Sequence, residues 1–262
     1  MNSSDLWPLF TDLRFAGPRS HPRLGPCFVA EGRILVEDLL AWGRAGKIKV
    51  AAVLAEASQA EAVRPLLPGG TELLAADRAE LESLAGFPFH RGLLAAAAVP
   101  APPDRERLRA CARLLVLPGL ADAQNLGQLL RTAAALGMDG ALLGPGPDPF
   151  SRRAVRVSMG AAWKLPIWRE ADVWSALEEW RTAGGEVTAA ALEPGAVPVR
   201  DWRPVARTAL VLGPEGPGLA ARELARCDRV VRIPMAESVD SLNVASAGAI
   251  LMHWLEAGMA PR

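Results

Sequence analysis

Beyond residue 110 the chain alternates short, continuous apolar runs with stretches of helical periodicity, and this alternation restricts the fold more than any other feature. The runs lie at residues 113–117, 140–143, 187–191, 208–212 and 229–233. A strand that is apolar at almost every position has no face to offer water. It belongs in a parallel sheet with helices over both faces. Ligands of such sheets bind beyond the carboxyl ends of the strands. The expected fold class is therefore α/β, with a parallel sheet in the C-terminal part.

A boundary precedes this region at Val99-Pro100-Ala101-Pro102-Pro103-Asp104. Prolines so closely spaced continue neither a helix nor an interior strand, and the stretch reads as a semi-rigid linker. It separates a domain of residues 1–103 from one of residues 104–262. The first half also alternates. Strands are expected at 27–30, 49–54, 73–75 and 91–99, and helices at 33–42, 59–67 and 77–84. Asp77, with Glu80 three residues on, carries a capping-box signature. The pattern predicts a small α/β sandwich.

Composition excludes several classes. Half the residues are hydrophobic, enough for a packed core. No apolar run is long enough to cross a bilayer, and residues 1–10 carry no secretory signal pattern, so a cytoplasmic protein is expected. Cys27, Cys111 and Cys227 are too far apart for a zinc motif or a disulfide framework, and no metal is expected. The 29 basic and 29 acidic residues cancel. Any nucleic-acid contact must come from a local patch, and two arginine clusters offer one. They are Arg105, Arg107, Arg109 and Arg113, and Arg152, Arg153 and Arg156. Solvated helix faces explain either cluster as well.

Three segments at expected strand ends carry chemistry. In Asn125-Leu126-Gly127-Gln128-Leu129-Leu130-Arg131, Asn125 and Gln128 fit a helix cap. Gly127 is unfavourable inside a helix, and it lies four residues before Arg131, on the same face. It leaves room for a ligand beside the guanidinium. In Leu212-Gly213-Pro214-Glu215-Gly216-Pro217-Gly218-Leu219, the glycines make a tight turn. A turn alone does not account for Glu215 between them, and glycines also bare the backbone to a polar ligand. Ile233-Pro234-Met235 ends a strand, and Ser241-Leu242-Asn243 opens the last long helix, where Ser241 or Asn243 fits a cap. Each segment alone is compatible with ordinary structure.

Taken together and in this order, the three segments resemble the motifs of the SpoU (TrmH) family of RNA ribose 2′-O-methyltransferases. Asp148-Pro149-Phe150-Ser151 through Arg156-Val157-Ser158-Met159-Gly160-Ala161 resembles the family's stretch between the first two motifs, and the likeness runs over about residues 111–257. The N-terminal part is similar to the family's L30e-like RNA-binding domain, through Phe28-Val29-Ala30-Glu31-Gly32-Arg33 and Gly86-Phe87-Pro88-Phe89-His90-Arg91-Gly92. His90 is kept as a structural histidine.

The resemblance implies a C-terminal α/β trefoil-knot (SPOUT) domain, a homodimer, and methyl transfer from S-adenosylmethionine to RNA, 23S rRNA first and tRNA as the alternative. It implies catalytic roles for Asn125, Arg131, Glu215, Ser241 and Asn243, and cofactor contacts at Ala190, Gly213, Gly216, Ile233 and Leu242. Arg152, Arg153 and Arg156 would bind RNA. In the family the arginine matching Arg131 is assigned to the 2′-hydroxyl. A guanidinium keeps its proton in proteins, so a phosphate clamp is the physically easier role. Two other readings stand beside this one: an RNA-binding protein of the same fold without catalysis, and an unrelated nucleotide-binding α/β enzyme. The chain offers no Gly-x-Gly-x-x-Gly opening a first helix and no Walker lysine for the latter.

Overall fold

The structure, a computed structural model, describes residues 6–13, 19–86, 92–236, 238 and 241–258. The chain forms two compact units. One is Met1–Ala101 with Asp148–Trp163, and the other is Pro102–Pro147 with Lys164–Arg262.

In the first unit the chain runs through β1 (Arg19–His21), β2 (Gly25–Glu31), α1 (Arg33–Arg44), β3 (Val50–Glu56), α2 (Ala60–Val63), β4 (Glu72–Ala76), α3 (Arg78–Ala85) and β5 (Leu93–Ala98). The sheet order is β1-β2-β5-β3-β4. Only β3 and β4 pair in parallel. Successive side chains of a strand point to opposite faces, and β5 shows the consequence. Leu94 and Ala96 enter a core with Phe10, Leu81 and Ala85, while Leu93, Ala95 and Ala97 enter another with Leu35, Leu39 and Leu40 of α1. The sandwich is as the sequence predicts, and so is the α3 capping box. The Glu80 N–H donates to Asp77 Oδ1 at 2.8 Å, and the Asp77 N–H to Glu80 Oε2 at 3.2 Å. The helix expected over 59–67 breaks. Only Ala60–Val63 is α-helical, flanked by 3-10 turns, because Pro65 interrupts the hydrogen-bond ladder. Phe87, Phe89, His90 and Arg91 lie outside the described residues.

The second unit contains α4 (Arg105–Ala110), β6 (Arg113–Leu117), α5 (Ala123–Ala135) and β7 (Gly140–Leu143). After the excursion through α6 (Arg152–Val157) and α7 (Ala161–Lys164) follow β8 (Ile167–Arg169), α8 (Val173–Arg181), β9 (Glu186–Ala190), β10 (Val197–Pro198), β11 (Thr208–Leu212), α9 (Ala221–Leu224), β12 (Arg229–Arg232) and α10 (Val244–Ala257). The sheet order is β10-β12-β9-β11-β6-β7-β8, with every pairing parallel. Strands β6, β7 and β11 are buried at every position. From β6 the chain builds outward to β8 and crosses to β9 and β10. It then returns, setting β11 beside β6 and β12 between β9 and β10. Two aspartates pin strand starts. Asp139 Oδ2 accepts the N–H groups of Ala112 and Arg113, and Asp228 Oδ2 accepts that of Val187, each at 2.8 Å. Helix α10 lies tight on α5 and β11. A Cβ on Gly248 would sit 2.4 Å from Leu129 Cδ2 and 2.9 Å from Leu212 Cδ1.

The excursion belongs to the first unit. Phe28 of β2 stacks on Trp163 with ring centroids 5.5 Å apart, and Phe150 lies at 5.4 Å from it on a tilted approach. Val155 and Ala162 are buried in the α1 core, and Arg152 pairs with Glu31 at 3.4 Å.

Elsewhere the charges pair locally. Arg105 meets Glu170 at 2.8 Å, Arg109 meets Glu179 at 3.4 Å, and Arg113 is buried, so these three of the first arginine cluster serve structure, while Arg107 is exposed. All three cysteines are free thiols. Burial pushes the Cys111 and Cys227 thiols up to about 11. Among the described residues no helix is long and apolar enough to cross a membrane, and no cluster of His, Cys, Asp and Glu could hold a metal.

Candidate active site

Three separate segments meet through one chain of hydrogen bonds. Helix α5 begins two residues before Asn125, capped by Asp122, whose Oδ1 accepts the Gln124 N–H at 2.8 Å. Asn125 is therefore not the cap that its spacing to Gln128 suggests. It sits buried in the first turn, and its side chain is free to point elsewhere. Asn125 Nδ2 donates to Glu215 Oε1 at 2.5 Å, and Asn125 Oδ1 accepts from Asn243 Nδ2 at 3.1 Å. Asn243 caps α10, its Oδ1 accepting from the N–H groups of Ala245 at 2.9 Å and Ser246 at 3.4 Å. Asn243 thus caps the helix with its oxygen while its NH₂ bonds Asn125. At the other end, Glu215 Oε2 accepts the Ala121 N–H at 3.5 Å.

This relay has only one sense. The backbone N–H groups at the start of α10 can only donate, so Asn243 must turn its oxygen to them and its NH₂ to Asn125. Asn125 must then turn its own NH₂ to Glu215, which accepts at both oxygens. The chemical result is a carboxylate at a strand end, fixed in orientation, with acceptor capacity left beyond its two donors.

The turn after β11 bends back on itself. A Cβ on Gly213 would lie 2.7 Å from the Leu219 nitrogen and 2.9 Å from the Gly218 carbonyl carbon, so nothing larger than glycine fits. Gly216 and Gly218 hold φ of +86° and +66° with open space where side chains would be. The turn thus bares backbone donors and acceptors to a ligand. Beyond β12 and before α10 stand half-buried Ile233 and exposed Leu242, and Ala190 ends β9 half-buried. Apolar groups beside free backbone suit a ligand that has both a flat ring and polar edges, and S-adenosylmethionine is such a ligand.

Asn125, Glu215 and Asn243 come together as their motifs predict. Arg131 is exposed on α5, with no hydrogen bond or ion pair among the described residues. Ser241 is likewise exposed and outside the relay. Arg152, Arg153 and Arg156 stand on α6 in the first unit, the latter two exposed. Sequence reasoning missed the Ala121 N–H, because a backbone donor leaves no mark in residue types.

The family model of the SpoU rRNA methylase family matches residues 112–253, more than half of the chain. The chain belongs to the SpoU rRNA methylase family. Among the relatives of this SpoU chain, the uncharacterized tRNA/rRNA methyltransferase Rv0881 of Mycobacterium tuberculosis is 41% identical over 176 residues, which cover 64% of this chain and 60% of the relative. The 23S rRNA (guanosine(2553)-2′-O)-methyltransferase RlmP of Bacillus subtilis is 34% identical over 151 residues, 57% of this chain and 60% of that one. The match thus spans about 60% of the length of these curated relatives. Among solved structures, an AdoMet-bound rRNA methyltransferase from Sinorhizobium meliloti superposes with a TM-score of 0.76 at 28% identity. That superposition covers 90% of this chain and 88% of the other, and so takes in most of both units. The fold is that of the SpoU/SPOUT methyltransferases with an N-terminal domain.

Proposed function

We propose that this SpoU chain transfers a methyl group from S-adenosylmethionine to a ribose 2′-hydroxyl of structured RNA, with 23S rRNA as the substrate class. The Asn125–Glu215–Asn243 relay carries the reading, because it joins all three family motifs into one polar centre. The 23S rRNA 2′-O activity in the name of the relative RlmP supports the choice of RNA. When bound, S-adenosylmethionine supplies an electrophilic methyl. The backbone of residues 213–218, with Gly213 and Gly216, would hold it together with Ala190, Ile233 and Leu242. The 2′-hydroxyl is a poor acid, so alignment dominates its reactivity. Arg131, exposed on α5, clamps an RNA phosphate and orients the ribose. Glu215 and the Ser241 hydroxyl complete the pocket through hydrogen bonds.

Residues 1–103 act in this reading as the RNA-binding domain. The α6 arginines contribute contacts, chiefly exposed Arg153 and Arg156, while Arg152 is tied to Glu31. A second copy of the chain covers the outer face of α10. That face carries Ile250, 41% exposed, among exposed Ser246, His253 and Glu256, a mixed surface of the kind found at interfaces between subunits. Sedimentation equilibrium returning the mass of a single chain would remove the dimer. An rRNA substrate places the protein in the cytoplasm, which cell fractionation tests.

The decisive experiment titrates S-adenosylmethionine calorimetrically, then maps 2′-O-methyl sites on in vitro-transcribed 23S rRNA and on tRNA. Binding and rRNA methylation are expected. Methylation of tRNA alone corrects the substrate, and binding without methylation of either sinks the catalytic reading. Gly213→Val is expected to lower cofactor affinity by about a hundredfold or more, since it forces the turn open; an affinity equal to wild type places the cofactor elsewhere.

A further inference from the structure

Glu215 receives its second hydrogen bond from outside the three motifs, from the Ala121 N–H. The loop bearing Ala121 is pressed from one side by residues 144–146. A Cβ on Gly144 would fall 2.0 Å from the Pro118 carbonyl oxygen. One on Gly146 would fall 2.7 Å from the Leu120 carbonyl oxygen and 3.3 Å from its nitrogen. These are backbone atoms, which cannot swing aside as a side chain does. The pressing loop is itself anchored, since the Gly144 N–H donates to the Leu117 oxygen at 2.8 Å and Arg169 donates to the Gly146 oxygen at 3.4 Å. The ends of β6 and β7 therefore meet at a spacing that only glycine permits, one residue before Ala121.

We propose that Gly146 is a positioning residue for methyl transfer: by fixing the Leu120–Ala121 peptide it aims the Ala121 N–H at Glu215 and sets the carboxylate's orientation. Gly146 touches neither cofactor nor RNA in this account and acts through Glu215 alone. The proposal rests on the methyltransferase reading above. Its physical core, the coupling of Gly146 to Glu215 through Ala121, is measurable without either ligand.

The test uses the full chain. In amide NMR spectra, Glu215→Gln is expected to shift the Ala121 resonance, and Gly146→Ala is expected to abolish that response while the rest of the spectrum stays native. Turnover on in vitro-transcribed 23S rRNA is expected to fall roughly tenfold to a hundredfold in Gly146→Ala, with S-adenosylmethionine affinity and KM within about twofold. Added to Glu215→Gln, Gly146→Ala should change turnover by less than about twofold, because two changes acting on one contact do not multiply. An Ala121 amide indifferent to Glu215→Gln, or effects that multiply, overturn the proposal. Should Gly146→Ala fail to fold, Ala121→Pro removes the N–H and leaves the glycine loop intact, and wild-type turnover in that variant overturns it equally. If the wild-type protein neither binds S-adenosylmethionine nor methylates RNA, the functional reading fails while the NMR result still decides the coupling.

Discussion

Arg131→Ala is expected to lower methyl transfer by about a hundredfold or more while S-adenosylmethionine affinity stays within about twofold. The guanidinium stands exposed on α5 with no hydrogen bond or ion pair among the described residues, so its removal breaks none there. Stability should therefore change by no more than about 0.5 kcal/mol, the usual range for surface substitutions. An exposed guanidinium has its donors open to solvent, and a phosphate of the substrate is the counterion proposed for it. Arg131→Lys should recover only part of the loss, since an ammonium cannot grip a phosphate with two parallel donors. Single-turnover kinetics together with calorimetry check both halves. Full turnover in Arg131→Ala would show that the residue has no part in transfer, and a fall in melting temperature that leaves the variant partly unfolded at the assay temperature would make it structural.

The parallel sheet was legible because its strands are apolar at nearly every position, which leaves few alternatives. The strands that escaped are short. Ile167–Arg169 and Val197–Pro198 lie at the sheet's edges and span too few residues to show a period. The motif residues were legible by type and order, yet two of their roles were not. Asn125 carried a cap signature that Asp122 in fact fulfils, because two acceptors three residues apart compete for the same helix start and only geometry decides. The apolar letters around Arg131 leave its exposure undecided, and only the helix geometry turns it outward. The order in which strands return to the sheet also escaped periodicity, since no local pattern encodes that β12 slots between β9 and β10. Ala121 and Gly146 show the further limit. A backbone donor and the absence of a Cβ act through position alone.

The largest stability effect is expected on removing residues 1–103. The proline linker suggests that the remaining half should fold unharmed, and the relay of Asn125, Glu215 and Asn243 does lie wholly in the second unit, so cofactor binding should persist in whatever stays folded. Residues 148–163 change the outcome. Val155, Ala162 and Trp163 are at most 5% exposed, in a core whose other buried members are all removed by the cut, which leaves them only the half-buried Phe150. Burial of a large apolar side chain stabilises by about 1.5–3 kcal/mol, so Val155 and Trp163 alone stand for about 3–6 kcal/mol against a typical total of about 5–15. Arg152 also loses Glu31. Fragment 104–262 should therefore bind a hydrophobic dye, aggregate, and methylate RNA poorly. Replacing Phe150, Val155 and Trp163 by serine in the same fragment should restore solubility and leave S-adenosylmethionine binding within a few-fold of the full chain. A fragment 104–262 that stays soluble, excludes the dye and melts at the temperature of the full chain would show that residues 148–163 find other cover, and that the first unit lends them no stability.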